Sequence, residues 1–412
     1  MFIPALSDFP KFHLERLLKT CFGDKSESVT NVCILIDLTD LSLMKDLKFL
    51  DSDGFSVQKT AYEVFYKGLL NGVGEKLGYS VIDFLSFKTT GGSNLDPEDL
   101  VVDVNGSSLS LSNDICTKYD LILAITDYSL TAPLTALAKV HGFRGATLHG
   151  VNEIILNSGL SVDYNEISDQ AECFRSVMDQ ADGFELVFEI SGSKHTLSID
   201  CGGQVAQKSH GLCPLGQPDV ANLPAGEVYF VPEGASGEFP FRFSEGTIAL
   251  MTVENGAITH ASRIQGDASL VNARNKQLKD DPATGIIGEL GFGTQLLPFS
   301  GKDIQDEKIF GTCHVATGRS DHLGGNLTPD LFNSRLNASH DDILYAPPKT
   351  PEINVSSVTL IKNGTENVIF RDYEPTPYLL DLLESKYPVE KFLDPVSKFG
   401  PDFDKNKNRL LK

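Results

Sequence analysis

Two rhythms divide the 412 residues. They predict an α/β N-terminal domain with a parallel sheet, followed by a mainly β (α+β) metal-binding domain. To about residue 180, short apolar runs alternate with segments of helical period; from about 181 to 395, strand-like runs follow one another across glycine-rich turns. A third observation lies within the second rhythm. His314, His322 and His340, three of only nine histidines, fall in "GTCHVATGRSDHLGGN" and the nearby "SHDDILYA", interleaved with Asp321, Asp341 and Asp342.

The elements follow in order. "NVCILIDL" (31–38) is a short apolar run of the kind buried in a parallel sheet, and it ends in acidic residues. "QKTAYEVFYKGLLNGVGEKLG" carries helical spacing at Ala61, Val64, Phe65 and Leu69 and has a glycine-rich exit. "YSVIDFLSF" and "YDLILAIT" read as the second and third strands. "SLTAPLTALAKVHG" reads as a helix opened by Ser129 or Thr131 and stopped by Gly142, and "RGATLHGV" as a fourth strand. No GxGxxG or GxxxxGK[ST] follows any of these strands, so this half carries no nucleotide-binding signature. Beyond residue 181, "GFELVFEI", "HTLSIDCGG", "GEVYFVPE", "GTIALMTVENGAITHASRI", "IIGELGFG" and "KIFGTCHVATG" read as strands, with "ENG" as a hairpin turn. The end, 396–412, is polar and reads as a loosely held tail.

Thirty-five basic and 56 acidic residues give a net charge of −21. Such a chain repels phosphate backbones and anionic lipid, which argues against nucleic acid or membrane partners. No apolar run is long enough to span a bilayer. The start, "MFIPALSDFPKFHLERLLK", lacks the pattern of a secretory signal, and seven cysteines without a CxxC pair read as reduced thiols. The expectation is a cytoplasmic protein.

Four segments of the second half place an acid or histidine among glycines near a strand end: Glu227 in "NLPAGEVYFVP", Glu289 in "IIGELGFGT", His314 in "GTCHVATG", and His340 with Asp342 in "SHDDI". A His-x-Asp pair on a strand points both side chains to one face. Nitrogen and carboxylate donors together suit Zn, Mn, Fe or Co. Burying unpaired carboxylates costs several kcal/mol, so a chain that does it repeatedly supplies a cation or a basic partner. Each segment also has a plainer explanation. A glutamate beside glycine suits a solvated turn, a single histidine suits a hydrogen-bonded core position, and Asp341 and Asp342 suit the N-cap of a helix beginning "DDILYA".

Taken together, "NLPAGEV", "GELGFGT", "DEKIFGTCHVATG" and "HDD", in this order, resemble the M29 family of metallopeptidases, the aminopeptidase T group. The resemblance covers most of residues 120–345. It implies an α/β domain followed by a mainly β domain with two divalent metal ions (Zn, Co, Mn or Mg), a homodimer, and peptides with a free N-terminus as substrates. Carried over by position, it implies that Glu227 binds one metal, Glu289 bridges two, His314 binds the second, and His340 and Asp342 complete the shell. Many members carry a tyrosine seven residues after the first histidine, where this chain has Asp321. Asp321 suits a metal or a salt bridge to Arg319, and with Glu289 these two are the catalytic candidates. His322 is an extra candidate beside them, and Glu233 and Glu238 are remote candidates for a general base. Ring-opening dioxygenases of pyridine breakdown are similar to this family and use one iron held by two histidines and a carboxylate. A third alternative is a homologue that binds without turnover.

Overall fold

The protein is described from a computed structural model covering residues 1, 3–23 and 31–386. The expected tail at 396–412 lies outside the described residues, as does the end of the second expected domain from 387. The chain divides into two compact units. One takes Pro4–Ser168 and His210–Ala225; the other takes Met1–Ile3, Asp169–Ser209 and the described residues from Gly226. The changeover therefore falls inside the helix Tyr164–Met178 rather than at 180. Residues 210–225 return to the first unit because Val220–Asn222 pairs in parallel with Arg144–Thr147 and extends its sheet.

That sheet has seven strands, in the order Val220–Asn222, Arg144–Thr147, Leu121–Ala124, Asn31–Leu38, Val81–Lys88, Leu100–Asp103, Ser108–Ser110. The four runs read as strands from the sequence form its parallel centre. Asn31–Leu38 is buried along almost its whole length, as a strand covered on both faces requires. The last two strands are an antiparallel addition that the sequence analysis did not anticipate. Two helical expectations need correction. The segment from Ser56 to Leu77 is not one regular helix: it contains π-helical turns at Ala61–Tyr66 and Leu69–Val73 and a break at Asn71 and Gly72. The helix Thr131–His141 has Leu130, not Ser129 or Thr131, at its N-cap. Its first amides are satisfied by the Ser129 hydroxyl (3.3 Å from the Thr131 nitrogen) and by Asn94 Oδ1, which accepts from Ala132 at 2.8 Å. Gly142, in the left-handed region, does end it.

The second unit contains an eight-stranded sheet, from Ala257–Gln265 at one edge to Glu374–Pro375 at the other, and a five-stranded sheet. The expected hairpin is present, with Asn255 and Gly256 both at positive φ between Ile248–Glu254 and Ala257–Gln265. The five-stranded sheet is antiparallel throughout, in the order His340–Tyr345, Cys313–Gly318, Ile287–Gly293, Glu227–Phe230, Gln207–Ser209. "DDILYA" is thus strand, and the helix-capping alternative for Asp341 and Asp342 falls away.

Alternation along these strands sends Val228, Phe230, Leu290, Phe292, Cys313, Val315, Ile343 and Tyr345 into one apolar core. There Phe292 and Phe230 meet Phe184 at ring separations of 5.1 and 5.2 Å, and Tyr345 meets Phe188 at 4.7 Å. Among the described residues no helix is long and apolar enough to cross a membrane. All seven cysteines are buried and unpaired, so none is in a disulfide. Truncating fully buried Phe292 to alanine should cost about 3–5 kcal/mol of stability, measured by denaturant unfolding.

Candidate metal centre

The other face of the five-stranded sheet follows from the same alternation. Directly paired residues of antiparallel strands project to one face. Glu227 pairs with Gly293, Gly291 with His314, Glu289 with Ala316, Ala316 with Asp342, and Gly318 with His340. The five residues singled out as metal donors therefore share one face, and each has glycine or alanine as a direct cross-strand neighbour. Small neighbours leave the space that the donor groups fill. At Gly291 a Cβ atom would lie 2.1 Å from His314 Cε1, so the imidazole lies across a position that no other residue can occupy without displacing it. At Gly293 a Cβ atom would lie 2.2 Å from the Ile309 carbonyl oxygen, and its absence lets the 307–309 segment close over Glu227.

This segment adds two residues to the site that the sequence analysis had quoted in "DEKIFGT" but given no role. Lys308, 1% exposed, places Nζ 2.6 Å from Glu227 Oε1 and 2.6 Å from Glu307 Oε1. Single atoms of Glu227, Glu289 and His314 lie within 4.8 Å of one another, as do those of Glu289, His340 and Asp342, and those of Glu307, His314 and Asp342. Glu289 spans two of these groups. Its Oε1 is 3.5 Å from His314 Nε2 and its Oε2 is 2.9 Å from His340 Nε2. His340 is oriented by its other nitrogen, 2.6 Å from the Arg319 carbonyl oxygen, a partner of the kind that fixes a ligating imidazole.

The charges are strongly coupled. Burial alone would raise the Glu289 carboxyl, but His314 and His340 outweigh it and hold it at about 2. Burial would lower both histidines; Glu289 and Asp342 instead raise His314 to about 10 and His340 well above its ordinary value. Burial lifts Glu307 to about 8 despite Lys308. Asp342 is held below the usual carboxylate range by His340 and His314 against its burial. Without a metal, protons on the two imidazoles thus neutralise part of the carboxylate charge. His314 Nδ1 and Asp342 Oδ1 are buried without a hydrogen-bond partner. His314 Nε2, which faces Glu227, Glu289 and Asp342 at 3.8, 3.5 and 3.9 Å, and the unpartnered Asp342 Oδ1 fit a divalent cation.

Asp321 is drawn away from this set. Arg319, 3% exposed, holds it with Nε 2.7 Å from Oδ1 and Nη2 3.2 Å from Oδ2. Neither residue, nor His322, belongs to the three donor groups. Of the remote candidates, Glu238 lies 3.0 Å from His195 on the eight-stranded sheet, and Glu233 follows the Glu227–Phe230 strand without joining a donor group.

No family model matches the chain, and no curated protein matches it. Among solved structures it is similar to 2,5-dihydroxypyridine dioxygenase from Pseudomonas putida KT2440. The TM-score is 0.54 and the identity 12%, over 84% of this chain and 92% of that chain. At this identity the likeness shows the fold.

Two outcomes follow from the geometry. Gly291→Ala should displace the His314 ring, weakening metal binding and costing about 1–3 kcal/mol of stability; metal titration and unfolding would read both. Because His314 must lose its proton to act as a ligand, metal binding should release protons and strengthen as pH rises toward about 10. Calorimetry in buffers of different ionisation enthalpy would count them.

Proposed function

We propose that the protein is a metal-dependent hydrolase, specifically an aminopeptidase that removes N-terminal residues from peptides with a pair of divalent ions. The observation that carries this reading is Glu289, whose two oxygens face two separate donor groups. Glu227 and His314 would hold one ion with it, rather than the separate ions that the resemblance implies for them, and His340 and Asp342 the other. Bound there, such a pair supplies hydroxide near neutral pH and polarises a scissile carbonyl.

The chain's own residues do the rest. Lys308 offsets one of the four carboxylates Glu227, Glu289, Glu307 and Asp342, and its contact with Glu227 fixes the orientation of that side chain. Three negative charges remain when all four are ionised. Two divalent ions exceed that by one, which leaves room for one anionic oxygen. The apolar core behind the sheet and the burial of the donors exclude water, so these charges act at low dielectric. The resemblance of "NLPAGEV", "GELGFGT", "DEKIFGTCHVATG" and "HDD" to the M29 metallopeptidases supports the same reading, including a homodimer and peptide substrates.

A second reading has specific support. If Glu307 keeps its proton, two negative charges remain and a single divalent ion balances them. One iron on Glu289, His340 and Asp342 would then suit a dioxygenase, the activity named for the similar structure. Against it, each of the three donor groups contains only one histidine, whereas the oxygenase triad calls for two.

Elemental analysis of protein purified without added metal or chelator separates the readings. About two equivalents of Zn, Co or Mn per chain, with turnover of dipeptides, support the hydrolase; one equivalent of iron with oxygen uptake supports the dioxygenase; no metal after reconstitution leaves a binding protein. Glu289→Gln should abolish metal pairing and lower peptidase activity by more than the roughly 10–100-fold typical of a lost outer partner, with the fold retained by circular dichroism. Full activity in that variant would remove the bridge.

A further inference from the structure

Next to the donor face is an arrangement that the metal ions do not account for. His322, its side chain 5% exposed, stands edge-on to His340, with ring centroids 5.0 Å apart and planes at 89°. Its Nδ1 is buried without a hydrogen-bond partner. The carboxylate oxygen facing it, Asp321 Oδ1, is 3.9 Å away, beyond hydrogen-bonding distance. An unsatisfied nitrogen of this kind is costly in a buried setting, so its retention calls for a ligand group. Among the described residues neither Asp321 nor His322 joins a metal-donor group, so the metal centre makes no use of this nitrogen.

We infer that Asp321 Oδ1 and His322 Nδ1 together receive the free amino group of the substrate. The substrate's identity rests on the aminopeptidase reading; the receptor itself rests on this pair. One nitrogen can approach two acceptors 3.9 Å apart at roughly 2.8–3.0 Å each, with the two directions diverging by roughly 80–90°. An ammonium, with three donors and a full charge, meets that demand. Asp321 contributes the opposite charge, and His322 a lone pair when its proton is on Nε2. Arg319 is a positioning residue, gripping Asp321 at two points so that one oxygen faces His322. The loop is held in place by its backbone: Arg319 donates to the Ser339 carbonyl at 2.8 Å, Ser320 to Leu327 at 3.0 Å and Gly325 to Ser320 at 2.9 Å. An N-acylated substrate loses the charge and keeps one of the three donors, so the pair would impose N-terminal specificity.

The test is calorimetric, on the full-length metal-loaded protein, with L-leucinamide and N-acetyl-L-leucinamide as probes. The wild type should bind the free amine at least about tenfold more tightly, as expected for hydrogen bonds from a charged group. Asp321→Asn and His322→Leu should each remove most of that preference, with metal content and affinity for the acetylated probe unchanged. His322→Asn, which keeps an acceptor close to the position of Nδ1, should restore part of it. No preference in the wild type overturns the inference, as does a preference that survives both variants, where the gap holds a bridging water only. Amine preference that depends on Asp321 and His322 without peptide hydrolysis upholds this receptor and defeats the peptidase reading. Hydrolysis with variants indifferent to the amine does the reverse.

Discussion

Three carboxylates on one face of a sheet and a fourth from the turn beside it, with a single lysine among them, form the constraint on which the second unit depends. Glu227, Glu289, Glu307 and Asp342 are drawn together by the five-stranded sheet and the turn before Cys313. Their mutual repulsion at low dielectric would open the structure if nothing opposed it. Lys308 opposes part of it, wedged between Glu227 and Glu307. Protons raised onto His314 and His340 oppose another part. Those protons occupy the nitrogens that a metal would use, so the metal-free site is compensated by groups that a cation displaces.

The opposite face of the same strands makes this tolerable. Phe230, Phe292, Val315 and Tyr345 anchor each strand in an aromatic core shared with Phe184 and Phe188. The energy of that burial, spread over large side chains, holds the strands in a register that repulsion on the other face would otherwise disturb. Register then decides the chemistry. A slip of one residue would turn every donor into the core and every aromatic ring outward. The glycines and Ala316 opposite the donors belong to the same design, since a larger residue at Gly291 would occupy the volume of the His314 ring.

Much of this was legible in the sequence because it depends on a period of two. "CHVATG" and "GELGFG" alternate a donor or small residue with a mostly apolar one, "HDDILY" sets His340 and Asp342 two apart, and this period brings Glu289, His314, His340 and Asp342 to one side. The short apolar run "NVCILIDL" likewise marked the centre of the parallel sheet. What escaped depends on contacts between distant segments. Lys308 and Glu307 stand in a turn with no periodicity, and only the backbone closing over Gly293 shows that they reach Glu227. The return of 210–225 to the first unit is written in three residues, Val220–Asn222, too few for a strand signal. The opening of the helix at Thr131 depends on Asn94, a residue far upstream whose side chain accepts from Ala132.

The fold does not choose between one metal and two, because a shared architecture admits unrelated reactions. The choice lies in how the donors are distributed. A mononuclear oxygenase site needs two histidines converging on one ion, whereas here His314 and His340 face different oxygens of Glu289, with Asp342 Oδ1 near both, at 3.9 and 3.2 Å. Adjacent strands place them there: His314 pairs with Gly291 and His340 with Gly318, at different levels of the ladder. Glu289 lies at the level between the two histidines and turns one oxygen toward each, so protonation of either imidazole is felt by the same carboxylate.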